Sequence, residues 1–381
     1  MFIKSNSNFP IGIDISDLSL KLVQLNKSGE HITIQAINKL DLPKGLISDG
    51  EIKNKTEVIK YIGQLLSKTK YGKTTSSELI ACLPESKTFI KLIEVENSPN
   101  DLNELIKLEM EKYIPMSIEE IYYDWQIVKI LPTKKLILIG AAPQSIVNQY
   151  TNLFDEAGLS LAALEIESIA ICRSILAEEN AKFKGSKTNN YGIIDIGAKR
   201  TSMAIYSKDT ILFTVSMPIS GEEITEKISK TLKIDLEQAE KAKIVCGLDK
   251  EKAKGIISSI ISEMIDELVV RINEVLKFYE YNHPNEGKIN KIFLCGGGAN
   301  IINIDQNLKE ILAMDIVFGD PLINFAEDEE KIAKIFSETY NLDIALSKNN
   351  ESGDQSITQN SKLSFTTAIG LALRGLFINE L

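Results

Sequence analysis

One pattern occurs twice in this chain and limits what it can fold into. Ile11-Gly12-Ile13-Asp14-Ile15-Ser16 reads as an apolar, β-branched strand that ends in an acidic turn. Tyr191-Gly192-Ile193-Ile194-Asp195-Ile196-Gly197 repeats that pattern in the second half. Each is followed by two more strand-like stretches, Leu20 to Leu25 and Ile32 to Ile37 in the first case, Ser202 to Tyr206 and Thr210 to Val215 in the second. Helical spacing follows the strands. Val58, Ile59, Ile62, Leu65 and Leu66 predict a helix near Lys55 to Lys68. In the second half, Ser220-Gly221-Glu222-Glu223 has capping-box spacing ahead of Ile224, Ile228 and Leu232. An internal duplication with acidic turns facing each other predicts a cleft suited to a phosphate–metal ligand.

The rest of the chain fits around this duplication. At 381 residues it is too long for one ordinary core. Between the repeats, residues 78–157 read as a compact α+β insert: strands at Leu79 to Leu83 and Phe89 to Val95, a helix from Leu102 that ends before Pro115, strands near Trp125 to Ile130 and Leu136 to Ala141, and a helix from Ser145. Apolar pairs over 256–282 predict a long helix with a broad buried face. Ile292 to Cys295 reads as a buried strand running into Gly296-Gly297-Gly298. Ser347 to Ser361 is polar enough to predict a mobile loop, and the chain turns apolar again over Thr366 to Phe377.

Composition excludes several functions. Lys+Arg 43 against Asp+Glu 53 gives −10 with no basic stripe, so no nucleic-acid partner is expected. Cys82, Cys172, Cys246 and Cys295 lie far apart in apolar settings, without a CxxC pair, and read as reduced core residues rather than zinc ligands. Met1 to Phe9 lacks an apolar signal region, and no run approaches the roughly 18 apolar residues a span requires. The expectation is a cytoplasmic protein that reaches a membrane only through a partner.

The chemistry lies in the turns. A tight turn exposes backbone N–H groups to phosphate oxygens, and an Asp at each strand end can hold a hydrated Mg²⁺. Gly296-Gly297-Gly298-Ala299, between a strand and a helix, permits backbone contact with a flat ligand such as adenosine. There is no GxxxxGK[ST] motif, which excludes a P-loop.

In chain order, Asp14…Lys21, Asp195-Ile196-Gly197…Thr201, Gly296 to Ala299 and Ala368-Ile369-Gly370-Leu371 resemble the phosphate, adenosine and connecting motifs of the actin, chaperone and sugar-kinase superfamily. Within it, Leu42 to Ile52, Leu108 to Pro115 with Asp124 and Gln126, Glu165 to Arg173 and Ala368 to Arg374 resemble the type IV pilus assembly (PilM-like) branch. The resemblance implies a two-lobed actin-like α/β fold, a duplicated ribonuclease H-like architecture with a small α+β inserted subdomain. Its expected divisions are 1–77 for the first part of lobe one, 78–157 for the insert, 158–189 for the return to lobe one and 190–345 for lobe two. A polar loop over 346–362 and a C-terminal return to lobe one over 363–381 complete it.

The resemblance also implies site roles. Asp14 and Asp195 would hold Mg²⁺ through water, Ser16, Gly197 and Ala198 would cradle phosphates, and Lys21 would reach the β- and γ-phosphates of ATP or ADP. Asp17 would sit in the first phosphate motif, and Thr201 would line the second loop. Glu240 and Lys243 would contact ribose and adenine, with a solvated helix face as the alternative. Gly296, Gly297, Gly298 and Ala299 would meet adenosine. Asp195 and Glu167 are the candidate catalytic residues, although a core-edge glutamate is the simpler reading of Glu167. The usual Asp-x-Gly-Ser here reads Asp14-Ile15-Ser16-Asp17. A Cβ at position 16 and a carboxylate at 17 oppose a triphosphate and predict at most a weak ATPase.

The implied function is a nucleotide-bound scaffold. It would dock the cytosolic N-terminal peptide of a PilN-like bitopic inner-membrane protein and connect it to the assembly motor ATPase of a pilus or related secretion system. The alternatives are an FtsA-like cell-division protein, disfavoured by the missing basic amphipathic tail, and a small-molecule kinase, for which no sugar-binding segment is visible.

Overall fold

The computed structural model describes residues 8–97, 101–114, 116–176, 190–325, 329–340 and 361–377. Pro115 and all but the last two residues of the expected loop 346–362 fall outside them. The chain divides into two compact units: Met1–Lys87, Ser145–Lys184 and Asp320–Leu381 form the first, and Thr88–Gln144 with Gly185–Gly319 form the second.

In chain order, the first unit opens with β1 (Ile11–Ser16), β2 (Ser19–Ser28) and β3 (His31–Asp41), an antiparallel meander. A two-rung hairpin follows, β4 (Ile47–Ser48) and β5 (Glu51–Ile52). Its turn residues Asp49 and Gly50 both have positive φ, at 51° and 73°, which an Asp-Gly pair tolerates. Helix α1 (Lys55–Ser67) is capped by the Asn54 side chain, which accepts from Glu57 N, and it buries Val58, Ile62 and Leu65. Strands β6 (Tyr71–Gly72) and β7 (Glu78–Leu83) complete this passage.

The second unit takes β8 (Phe89–Glu96), α2 (Leu102–Met110), β9 (Ile121–Ile130) and β10 (Lys134–Pro143). The chain then supplies α3 (Gln144–Glu156), β11 (Ser160–Ile166) and α4 (Glu167–Ile175) to the first unit, which takes α3 from Ser145 onward. Next come β12 (Tyr191–Ile196), β13 (Thr201–Ser207), β14 (Thr210–Met217), α5 (Gly221–Leu232), α6 (Leu236–Cys246) and α7 (Ile256–Asn282). After β15 (Lys291–Cys295), α8 (Ile304–Leu312) and β16 (Asp315–Phe318), the first unit is closed by α9 (Glu329–Tyr340) and α10 (Thr366–Phe377).

Sheet order makes the duplication explicit. The first unit's sheet runs β11-β7-β1-β2-β3-β6, and the second unit's runs β16-β15-β12-β13-β14-β8-β10-β9. Each begins with the same five-strand plan: an antiparallel meander whose first strand is extended on its outer side by two successive parallel strands. Asp14 and Asp195 stand at corresponding places near the ends of the two leading strands.

The insert boundaries expected at 78 and 157 differ from this pairing. Strand β7 pairs in parallel with β1, so it belongs to the first repeat, and the added strands β8, β10 and β9 extend the second unit's sheet through Phe213 opposite Lys91. Short apolar strands carry no mark of their partner in sequence, which is why periodicity could not separate β7 from β8.

Helix α10 sits in the first core, where Ala368, Ile369, Ala372 and Leu373 pack against Val23, Leu25, Ile37 and Phe336. Glycine is needed at two of its contacts. A Cβ on Gly12 would run into the backbone of Ala368 and Ala372, and one on Gly370 into the carbonyl of Ala170. The connecting motif is therefore a place where a helix lies backbone to backbone against β1 and α4.

Candidate functional site

Asp14 is 4% exposed at the end of β1, directly opposite Lys21 on β2. Lys21 Nζ donates to Asp14 Oδ2 at 2.7 Å. Burial pulls the Lys21 ammonium down, but the charge and hydrogen bond of Asp14 outweigh it, so its pKa stands above the ordinary lysine value. The turn below is braced by Ser16, whose hydroxyl lies 3.0 Å from both the carbonyl and the hydroxyl of Ser19.

Glu167, the first residue of α4, also reaches this turn. Donor atoms of Asp14, Glu167 and Cys82 all lie within 4.8 Å of one another. Burial first, and then the nearby Glu167 and Asp14 charges, push the Cys82 thiol well above its ordinary pKa, so it stays a thiol. The metal-binding character of the cluster is that of two carboxylates, a hard oxygen set suited to a hydrated Mg²⁺. Thr367 Oγ1, on α10, donates to Glu167 Oε1 at 3.3 Å.

In the second unit, Gly197 N donates to Arg200 O at 2.9 Å and closes the turn between β12 and β13. Helix α5 sits against that turn: Gly221 N donates to Gly197 O at 3.1 Å, and Glu222 N to Ala198 O at 2.9 Å. An ion pair between Lys199 and Glu222 adds to the contact. Ser220 caps α5, its hydroxyl accepting from Glu223 N. Lys243, on α6, is 7% exposed and donates to Gly221 O at 2.9 Å, Thr225 Oγ1 at 2.9 Å and Glu240 Oε2 at 2.7 Å. This excludes the solvated-face reading for Lys243, while Glu240 keeps a side chain 45% exposed. Thr201 at the start of β13 is fully buried, and its Oγ1 has no hydrogen-bond partner among the described residues.

The glycine run lies against the same turn. Gly296 has φ 82°, and a Cβ there would come within 2.5 Å of Asp195 Oδ1. A Cβ on Gly298 would collide with Ile196, whereas Gly297 has open space around it. Two of the three glycines are thus demanded by close approach to the end of β12, and Gly297 alone offers a bare backbone outward. Ala299 is buried behind them.

The first unit therefore brings together Asp14, Ser16, Lys21 and Glu167. The second gathers Asp195, Gly197, Ala198, Thr201, Glu240, Lys243 and Gly296 to Ala299. Asp17 has partners of its own. Its carboxylate is 7% exposed and accepts from Asp49 N at 2.8 Å and Gly50 N at 2.9 Å, so its charge is matched by two backbone donors of the β4–β5 turn. Sequence reasoning gave Asp17 to the phosphates because adjacency in the chain was the only cue. It also missed Cys82, whose place beside Asp14 follows from the β1–β7 pairing. A second omission was Glu165, where Arg173 makes a two-pronged pair and Arg374 joins at 3.1 Å.

Comparison with known proteins bears on the family and the fold. A family model described as "Type IV pilus assembly protein PilM" matches residues 12–346. Among curated proteins, cell division protein FtsA of Neisseria meningitidis serogroup B is 24% identical over 213 residues, 50% of this chain and 49% of its own length. FtsA of Buchnera aphidicola is 27% identical over 157 residues, which span 37% of that protein. Among solved structures, the "PilM-PilN type IV pilus biogenesis complex" aligns with TM-score 0.75 and 22% identity, covering 96% of this chain and 98% of that one. MreB5 of Spiroplasma citri bound to ADP aligns with TM-score 0.52 and 15% identity, covering 91% and 99%. These likenesses give the actin-like fold that the repeated strand order displays, and the family match gives the branch: the chain belongs to the type IV pilus assembly protein PilM family.

Proposed function

We propose that this chain is a nucleotide-binding scaffold of a type IV pilus or related inner-membrane assembly platform, docking the cytosolic peptide of a PilN-like bitopic protein. One observation carries the nucleotide reading: two sheets of the same order present Asp14 and Asp195 at corresponding strand ends, the second beside a glycine run with one bare backbone position. Solved neighbours of this fold were seen with ADP and AMPPNP. Here Gly197, Ala198 and Thr201 would hold phosphates, and Gly296 to Ala299 with Glu240 would hold adenosine or ribose. Lys243 would act by fixing α6 to the α5 N-terminus. Asp14 and Asp195 would bind Mg²⁺ through water, which would neutralise phosphate charge. Asp14 and Glu167 form the hard oxygen set that suits the ion. Glu167 would orient water in the weak hydrolysis that we assign, since the Ser16 hydroxyl is tied across the turn to Ser19.

The partner reading rests on the neighbour that was solved as a complex with PilN. Among the described residues no helix is long and apolar enough to cross a membrane, so a bitopic partner would supply the attachment. Helix α2 is the expected element near the docking groove; its Leu108 is 57% exposed, and Lys91 Nζ stands 3.3 Å from the centre of the nearby Tyr113 ring. A short peptide that orders on binding recovers only part of its contact energy, so moderate affinity is expected.

The test is fluorescence anisotropy with peptides from about the first 20 residues of the adjacent bitopic protein, a length typical of linear motifs. Leu108→Glu should weaken binding at least tenfold, about 1.4 kcal/mol. Binding that is unchanged in this variant puts the groove elsewhere, and no binding by the intact chain ends the scaffold reading.

A further inference from the structure

Gly50 occupies an unusual position in the first unit. Its N–H donates to Asp17 Oδ1 at 2.9 Å, and its carbonyl accepts from Tyr150 Oη, on α3, at 3.0 Å. A Cβ on Gly50 would collide with the Pro84 ring, so no other residue fits without displacing that loop. The neighbouring positions of the same hairpin are held as firmly. Ile52 exchanges two hydrogen bonds with the Gln149 amide, at 2.8 and 3.2 Å. Lys87 Nζ lies 3.0 Å from both Asp49 Oδ2 and Glu51 Oε1.

These partners mark particular places along the chain. Asp17 belongs to the turn between β1 and β2, next to Ser16 and close in sequence to Asp14. Lys87 is the last residue before the chain leaves the first unit, and Gln149 and Tyr150 lie just after it returns at Ser145. A hairpin of only two rungs thus touches the phosphate turn and both crossings that bound residues 88–144. With so few rungs it has little cohesion of its own, and its position depends on these outside contacts. An element of that kind can be biased from either end.

We propose that the Asp49–Ile52 hairpin couples occupancy of the Asp14 turn to the order of the inserted segment 88–144, with Asp17, Lys87 and Tyr150 as positioning residues. The inference rests on the nucleotide reading above. Nucleotide that firms the β1–β2 turn holds Asp17 in place, and Asp17 holds the Asp49 and Gly50 amides. The hairpin then fixes Lys87 at the exit and Tyr150 at the return. By reciprocity, a partner bound to the insert tightens nucleotide binding by the same factor.

The test is amide hydrogen exchange on the full chain with and without Mg·ATP, with nucleotide affinity measured separately by calorimetry. Intact protein should show slower exchange over 88–144 when Mg·ATP is bound. Tyr150→Phe removes one hydrogen bond and keeps the ring, and Lys87→Met removes two ion pairs of a side chain that is 21% exposed. Each should keep nucleotide affinity within about twofold while the nucleotide-dependent change over the insert falls at least fivefold. A purely structural role would instead raise exchange in both states and leave the difference intact, which overturns the relay. Should Tyr150→Phe fail to fold, Lys87→Met alone decides between these outcomes. Intact protein that binds Mg·ATP with no change in the insert also overturns the relay, yet leaves the nucleotide site standing. Absence of any nucleotide binding defeats both.

Discussion

Asp14 and Lys21 form a buried ion pair at the candidate site. A buried carboxylate is tolerable because a buried ammonium lies 2.7 Å away. Lys21→Met would leave Asp14 uncompensated, with an expected loss of about 3 kcal/mol in urea unfolding. The double variant with Asp14→Asn should recover much of it, and equal losses in the two would contradict a charge-pair origin. The pH dependence follows from the direction of the Lys21 shift. Because its folded pKa is raised, the pair's contribution is complete below the unfolded lysine value of 10.5 and is lost as pH climbs through the folded value. At this scale the sequence revealed residue types but not their partners. Asp14 and Lys21 stood in one motif in the sequence, but their ion pair became visible only when β1 and β2 were paired. The partners of Asp17 were not readable, because Asp49 and Gly50 lie on a separate hairpin.

Among the elements, α10 fills the stretch Thr366 to Phe377 that reads as apolar in the sequence, yet its packing was invisible there. An apolar run says that a helix is buried; it does not say that Gly370 lies against the Ala170 carbonyl. Gly370→Ala should therefore destabilise by about 1–3 kcal/mol through overpacking, despite alanine's better helix propensity. Gly63, in α1, is the internal control, since a Cβ there meets nothing within 4 Å. Gly63→Ala should be neutral or raise stability by up to about 1 kcal/mol. Urea midpoints of the two variants decide the matter, and equal effects would mean that α10 is less tightly packed than described. The α5 cap was legible for the opposite reason: Ser220 and Glu223 act within one turn, so their spacing contains the whole interaction.

For the whole molecule, the duplicated strand–Asp–turn pattern already contained the fold, and the sheets repeat it strand by strand. The division at 78 was not contained in it, because β7 and β8 are both short apolar strands and only pairing assigns one to each sheet. We propose that this duplicated architecture binds nucleotide through its second turn, with Asp195 holding the metal's water shell. Calorimetric titration of the full chain with Mg·ATP, beside the Asp195→Ala variant, tests it most directly. The intact chain should bind saturably, and the variant should bind at least tenfold more weakly, about 1.4 kcal/mol. Equal affinity in the two proteins, or no heat of binding in either, would contradict it.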